Sequence, residues 1–300
     1  MAAIKSIPDY YVTEYETNWS HKAQQKISLL KDQVILDNID GKEKSYNKIG
    51  TVEFQRVTER AGATRVSDLS LEKRWLRPFP FDDTKVFDEW DEKFLGEISL
   101  PSSQLMEAQA AAYARLADSI ILQAAVGDAY TGENGTSVVS LPTSQTVAVN
   151  YVESGTAANS GLTIGKLRRA KYILDDNDVD DMEPRTVAYC AKQLQDLLRS
   201  VEIGSKDYNA VQALVDGQVN KFLGFTFKRV SSKVLPISGG VRQVVFWAKN
   251  GLRLSDSGKQ TRMDILPMQS HALQVRSVGV LGATRDEEAR VGIIYCDETV

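Results

Sequence analysis

Catalysis or metal binding in this chain would have to be assembled from very few residues. His21 and His271 are its two histidines, and Cys190 and Cys296 its two cysteines. Neither histidine lies in an HExxH pattern or any other zinc-ligand spacing, and two cysteines are too few for a disulfide framework. His21, beside Trp19 in a polar stretch, reads as a solvated surface histidine. His271 follows Pro267-Met-Gln-Ser270 and reads as structural, in a loop-to-strand passage. There is no GxSxG elbow, no GxxxxGK[ST] loop and no GxGxxG fingerprint. The glycine-rich stretch Gly132-Glu-Asn-Gly135 lacks the lysine that would reach a phosphate. The remaining candidate is the acidic run Asp175-Asp176-Asn177-Asp178-Val179-Asp180-Asp181, followed by Glu183. As a calcium loop it would place ligands at Asp176, Asp178 and Asp180. Position 6, where a glycine makes the sharp turn, is Asp181, and position 12, where a bidentate glutamate closes the site, is Val187. A solvated acidic turn leading through Pro184 into a strand is the plainer reading. A metal-dependent enzyme built on Asp175–Asp181 is kept as a remote alternative. Catalytic, cofactor and metal sites are therefore all read as none.

Composition points the same way. The 300 residues are 42% hydrophobic and 25% charged, an ordinary globular balance, and the net charge of -4 argues against a dedicated nucleic-acid binder. No run of eighteen apolar residues and no secretory signal are visible, so a soluble intracellular protein of one to three domains is expected.

The elements are unevenly supported. Residues 1–19 are Tyr-rich and unpatterned. Residues 20–40 place Ile27, Leu30, Val34 and Ile35 at helical spacing and predict an amphipathic helix ended by Asp40-Gly41. From 42 to 81, short alternating stretches (Thr51–Val57, Leu69–Leu76) predict a long charged hairpin with almost no private core. Residues 102–126 give the clearest helix, with a stripe at Tyr113, Leu116, Ile120 and Ala124, and Gln104, Glu107, Arg115 and Asp118 on the other side. A polar stretch follows, with short strands at 137–141 and 146–152. Leu162–Leu174 predicts a second amphipathic helix with Lys166, Arg168, Arg169 and Lys171 outward. Arg185–Cys190 reads as a buried strand and 191–200 as a helix; a weaker helix is expected at 209–220. Strands are expected at 222–230, 241–248, 263–268, 273–279 and 291–296, with 279–290 a charged turn.

Charge is blocked along the hairpin. Residues 42–77 carry nine Lys/Arg and five Asp/Glu, whereas residues 82–97 carry seven acids and two lysines. Opposite blocks of this kind can steer and register neighbouring copies. The candidate intersubunit residues are Arg60, Arg65, Arg74, Trp75, Arg77, Asp88, Asp91 and Glu92; reversing Arg60, Arg65, Arg74 and Arg77 is expected to impair assembly more than folding.

The helix Ala114-Arg-Leu-Ala-Asp-Ser-Ile-Ile-Leu-Gln-Ala-Ala-Val-Gly127 resembles the spine helix of tailed-bacteriophage major capsid proteins, with its central Asp and terminal Gly. Leu162–Asp175 with the following Arg185-Thr-Val-Ala-Tyr is similar to the passage opening that family's axial domain. Phe222-Leu-Gly-Phe-Thr-Phe, Ser231-Ser-Lys-Val-Leu-Pro236 and Gly282–Tyr295 resemble its later segments. The resemblance implies the α+β Hong Kong 97-type capsid fold. It divides the chain into an N-terminal arm (1–40), an extended loop (41–97), a peripheral domain with the spine helix (98–160), an axial domain (161–269) and C-terminal strands of the peripheral domain (270–300). It implies a shell-forming structural protein, not an enzyme and without cofactor. The protein would assemble with itself as pentamers and hexamers in the host cytoplasm and reside in the virion. Portal, scaffolding and decoration proteins would be its other partners, and it would meet packaged double-stranded DNA only non-specifically, with no membrane. Some relatives fuse subunits through a lysine–asparagine bond; Lys42, Lys44, Lys48 and Lys73 lie in the loop, but nothing marks a partner asparagine. A bacterial nanocompartment shell of the same fold is the nearer alternative.

Overall fold

The computed structural model describes residues 24–39, 41–54, 56, 68–87, 102–200, 221–268 and 271–299. A 3-10 turn at Lys31–Gln33 leads into β1 (Ile35–Asp37), followed by β2 (Lys44–Ile49), β3 (Leu71–Leu76) and β4 (Phe79–Phe87). Helix α1 (Ser102–Val126) precedes β5 (Ala129–Thr131), β6 (Ser137–Val139) and β7 (Thr146–Val147). Then come α2 (Ile164–Asp176), β8 (Arg185–Tyr189) and α3 (Ala191–Ser200). The C-terminal part is mainly strand: β9 (Lys221–Phe222), β10 (Phe225–Arg229), β11 (Ile237–Ser238), β12 (Val241–Ala248), β13 (Leu252–Asp256), β14 (Gln260–Leu266), β15 (Ala272–Arg285) and β16 (Val291–Asp297). Among the described residues no helix is long and apolar enough to cross a membrane.

The described strands form three sheets. The largest runs β7-β16-β12-β8-β10-β9, with β11 added to β12. Its central strands are continuous apolar runs, Val244–Ala248 and Val187–Ala188, because both their faces are covered. β8 and β10 are parallel, so their connection must cross over, and α3 begins it. In the second sheet β15 has β4 on one edge and β13 then β14 on the other, with β1 outside β13. The third runs β2-β3-β5-β6. Helix α1 packs against β12, β13 and β15 and joins the two larger sheets through one core, in which Ala117, Ile121, Leu122 and Ala125 meet the apolar side chains of β12 and β16. Packing there is close enough that a methyl group at Gly292 would sit 2.2 Å from the Phe246 ring.

Several expectations change. Residues 24–37 are not an amphipathic helix: a single 3-10 turn gives way to β1, and although Leu30 and Val34 are buried, Ile27 is exposed. The hairpin strand lies at 44–49, and 51–54 have no regular structure. Phe222–Val230 is two strands, broken by Leu223 and Gly224 in left-handed conformation (φ 52° and 86°). Residues 279–285 continue β15 and are not a turn. Strand pairing also ignores the expected boundary at 269/270. β13 and β14 join β15, whereas β16 pairs with β12 in the sheet of β8 and β10. The expected helix at 209–220 and the arm before residue 24 lie outside the described residues.

Candidate functional site

The β2–β3 hairpin is fastened at its root by polar side chains, and its described residues beyond the root expose several apolar side chains. The pleat aims Tyr46, Lys48, Arg74 and Leu76 inward. Lys48 and the Arg74 Nε both donate to the Asp286 carbonyl, and Arg74 Nη2 reaches Glu288 at 2.8 Å. Tyr46 donates to Asp37 (2.6 Å) beneath the Arg253 guanidinium, 4.4 Å from the ring centroid. Hydrogen bonds from Lys44 and Tyr46 hold the Asp37 carboxyl below the usual carboxylate range, while burial and the same Asp37 push the Tyr46 phenol up. Outward, Trp75 Nε1 donates to Gly132 O (2.7 Å), and Arg77 bonds Glu43 and Gly135 O while lying over Tyr130. Gly135, at φ 64°, lets the chain pass the Trp75 ring: a Cβ there would be 2.8 Å from it.

Beyond this root, exposed apolar side chains stand among exposed polar ones such as Thr51, Glu53 and Glu72. Ile49 and Leu71 face each other across the hairpin, and both are more than two-thirds exposed. Val52 and Phe54 follow, Phe54 with its whole side chain in solvent. Singly exposed apolar residues are normal; with Leu69 also exposed, five of them in the described part of the hairpin are a larger apolar exposure than that.

A family model described as phage capsid protein matches residues 7–298. The chain belongs to the phage capsid protein family. Solved structures agree in fold. The capsid of Ralstonia phage GP4 superposes with a TM-score of 0.69 at 11% identity, covering 99% of this chain and 98% of that one. Mycobacterium phage Che8 gives 0.68 at 13%, covering 98% and 99%. The capsid of Cyanophage P-SCSP1u gives 0.68 at 13%, covering 96% and 93%. The architecture is therefore the α+β Hong Kong 97-type capsid fold. No curated protein sequence matches the chain.

In this capsid protein the chemistry-bearing residues are spent on holding the frame. Of the predicted intersubunit set, Arg74 is buried, and its bonds to Asp286 and Glu288 lie within its own subunit. Reversing its charge would therefore strike folding as well, so of the four arginines expected to matter more for assembly than for folding, Arg74 is the one tied to its own subunit. Trp75 and Arg77 support the hairpin root; Arg60, Arg65, Asp88, Asp91 and Glu92 lie outside the described residues. In the acidic run, Asp175 and Asp181 flank the buried Arg185, Asp180 caps the Met182 N–H, and Glu183 bonds Arg290 and the Asn250 N–H. Among the described residues no group of three or more His, Cys, Asp or Glu is placed to hold a metal ion. Cys190 and Cys296 are both buried, and burial pushes the Cys296 thiol up to about 12.

Three buried charges were read as surface residues, or not singled out at all, and prove central. Asp118, read on the polar side of the spine helix, is fully buried and takes four bonds from the segment before β1. One oxygen accepts from Gln25 Nε2 and Leu29 N, the other from Ser28 Oγ and Leu30 N. Lys166, read as outward, is fully buried and donates to the carbonyls of Val149, Ser160, Gly161 and Tyr295 at 2.8–3.0 Å, tying the 149–161 loop to α2 and β16. Burial pulls its pKa below the usual lysine value. Arg285 caps the spine helix. The one signal that could have marked Asp118 is its position: an acid four residues before Leu122 interrupts an otherwise apolar and alanine face.

Asp118→Asn is expected to cost about 2–4 kcal/mol, because the amide nitrogen would confront two donors and leave them unsatisfied. Denaturant unfolding of the full chain measures this, and limited proteolysis should show cleavage near residues 24–30 appearing earlier than in the natural protein.

Proposed function

We infer that this chain is the major capsid protein of a tailed phage, assembling with itself into pentamers and hexamers of a closed icosahedral shell around double-stranded DNA. The observation that carries the reading is the hairpin, latched at its root and exposing Ile49, Val52, Phe54 and Leu71 beyond it. A segment that buries little within its own subunit gains its stability between copies, and in a closed shell each such contact repeats. Arg60 and Arg65, in the basic block of the sequence, and Asp88, Asp91 and Glu92, in the acidic block, supply opposite charges that would set the register between neighbours. The net charge of -4 suits a wall that does not grip the packaged DNA. Assembly would take place in the host cytoplasm, with portal, scaffolding and decoration proteins as further partners and the virion as destination. The role is structural, without catalysis or cofactor.

The test is assembly itself. The full chain, expressed alone or with the neighbouring assembly genes, is expected to give closed shells by light scattering and negative-stain microscopy. Compact monomers across all ionic strengths and concentrations would overturn the reading. Shells that enclose a cargo enzyme in place of DNA would favour the nanocompartment alternative.

A further inference from the structure

The sheet around β15 leaves one long edge open. β1 covers the outer edge of β13 at Arg253–Ser255 and goes no further. Among the described residues nothing pairs with the outer edge of β14, seven residues from Gln260 to Leu266. Such an edge is a template for another strand unless a proline, a bulge or like charges blunt it. Pro267 comes only after its end.

The side chains along this edge match a reversed copy of themselves. Met263 and Ile265 are 45% and 63% exposed, and strand alternation puts them on one face with Arg262 and Asp264 together on the other. In an antiparallel pair of two β14 strands centred on Met263, Arg262 falls opposite Asp264 of the second copy. Thr261 falls opposite Ile265, and Met263 meets itself. Opposite charges directly across a ladder attract and like charges repel. Within the subunit Arg262 already stands opposite Arg276 on β15. Among the described residues Arg276 finds a carboxylate in Asp82, and Arg262 finds none. The second copy supplies the missing countercharge, twice over, and covers the exposed methionine and isoleucine in the same step.

We propose that two copies join through their β14 edges, antiparallel about a two-fold axis at Met263, to make one sheet that runs across the pair. The proposal rests on the reading of the chain as a self-assembling shell protein. It assigns a two-fold contact to a strand edge far in sequence from the hairpin. Its interface is isologous, so every contact is made twice.

Met263→Cys in the full chain tests it. Cys190 and Cys296 are buried, so the new thiol is the exposed one. Residues facing each other on the axis have Cα atoms about 4.5–5.5 Å apart, within disulfide reach. Assembled particles oxidised with diamide are expected to run mainly as dimers on a non-reducing gel. Met268→Cys, well away from the axis, is expected to stay monomeric. In the Met263→Cys background, Arg262→Asp or Asp264→Arg alone sets like charges across both halves of the pair and should cut the dimer yield about tenfold; the two changes together should restore it. Particles that form without the dimer, or a dimer yield indifferent to these charges, overturn the strand pairing and leave the shell reading standing. Failure of the natural chain to form particles overturns the shell reading and, with it, the pairing.

Discussion

Arg285→Met is expected to destabilise the subunit by about 3–5 kcal/mol, a large share of the roughly 5–15 kcal/mol that holds a typical domain folded. The side chain is fully buried, and its guanidinium donates to Ala125 O (3.1 Å), Gly127 O (2.7 Å) and Val139 O (2.8 Å). The first two are among the carbonyls that the end of a helix leaves without partners. A cation at that end also opposes the helix dipole. Gly127 closes the helix by donating to Gln123 O, but its own carbonyl then points into the protein, and Arg285 receives it. Methionine fills most of the volume and supplies no donor, so one buried and two part-buried carbonyls lose this donor at once. Glu288 keeps Arg74, which limits the damage on that side. Arg285→Lys should recover only part of the loss, since one ammonium cannot reproduce the planar fork that spans two chain segments. Denaturant midpoints of the three full-length proteins measure the order natural, Lys, Met. A Met variant as stable as the natural chain would show that the helix end is satisfied in some other way.

The sequence spoke clearly wherever apolar patterning alone decides structure. β12 is bounded at Val241 and Ala248 by its run of β-branched and aromatic residues, and α1 by Pro101, its alanines and Gly127. It was silent where a charge is buried, because pattern reading places every Asp, Lys and Arg outside. Asp118, Lys166 and Arg285 break that rule because each gathers several backbone partners brought together by the fold, from residues 5 to 160 positions away. Residues 24–37 misled for a related reason. Leu30 and Val34 have helical spacing and are indeed buried, but the backbone N–H groups of Leu29 and Leu30 go to Asp118, so no helix is needed to satisfy them. β4 had no expected counterpart, because residues up to 81 read as hairpin and 82–97 as an acidic block. Among the described strands it sits at a sheet edge, where a proline without an N–H is tolerated. The candidate surface divides in the same way. The hairpin's want of a private core was legible in its composition, whereas the commitment of Arg74 to its own subunit depends on Asp286 and Glu288, more than two hundred residues away.

Charging the outer end of the hairpin is expected to abolish assembly while leaving the subunit folded. Ile49→Asp, Phe54→Asp and Leu71→Asp act on side chains that are two-thirds exposed or more. Substitutions at such positions change subunit stability by about 0.5 kcal/mol or less. In the shell each would lose about 1.5–3 kcal/mol of apolar burial and add the cost of desolvating a carboxylate. One substitution per copy then weakens each contact by a factor of at least about ten, and Ile49→Asp with Leu71→Asp, which face each other, by at least about a hundred. Every subunit carries the change, so the threshold concentration for shells rises beyond what expression reaches. Trp75→Phe is the informative comparison. It removes the bond to Gly132 O at the hairpin root and keeps the apolar outer end. It should loosen the hairpin and slow assembly without preventing it. Light scattering gives the assembly threshold and circular dichroism the folding of the same samples. If the charged variants assembled at the natural threshold, the outer end of the hairpin would have no role between subunits; if they lost folding and assembly together, its burial partner would lie within the same chain.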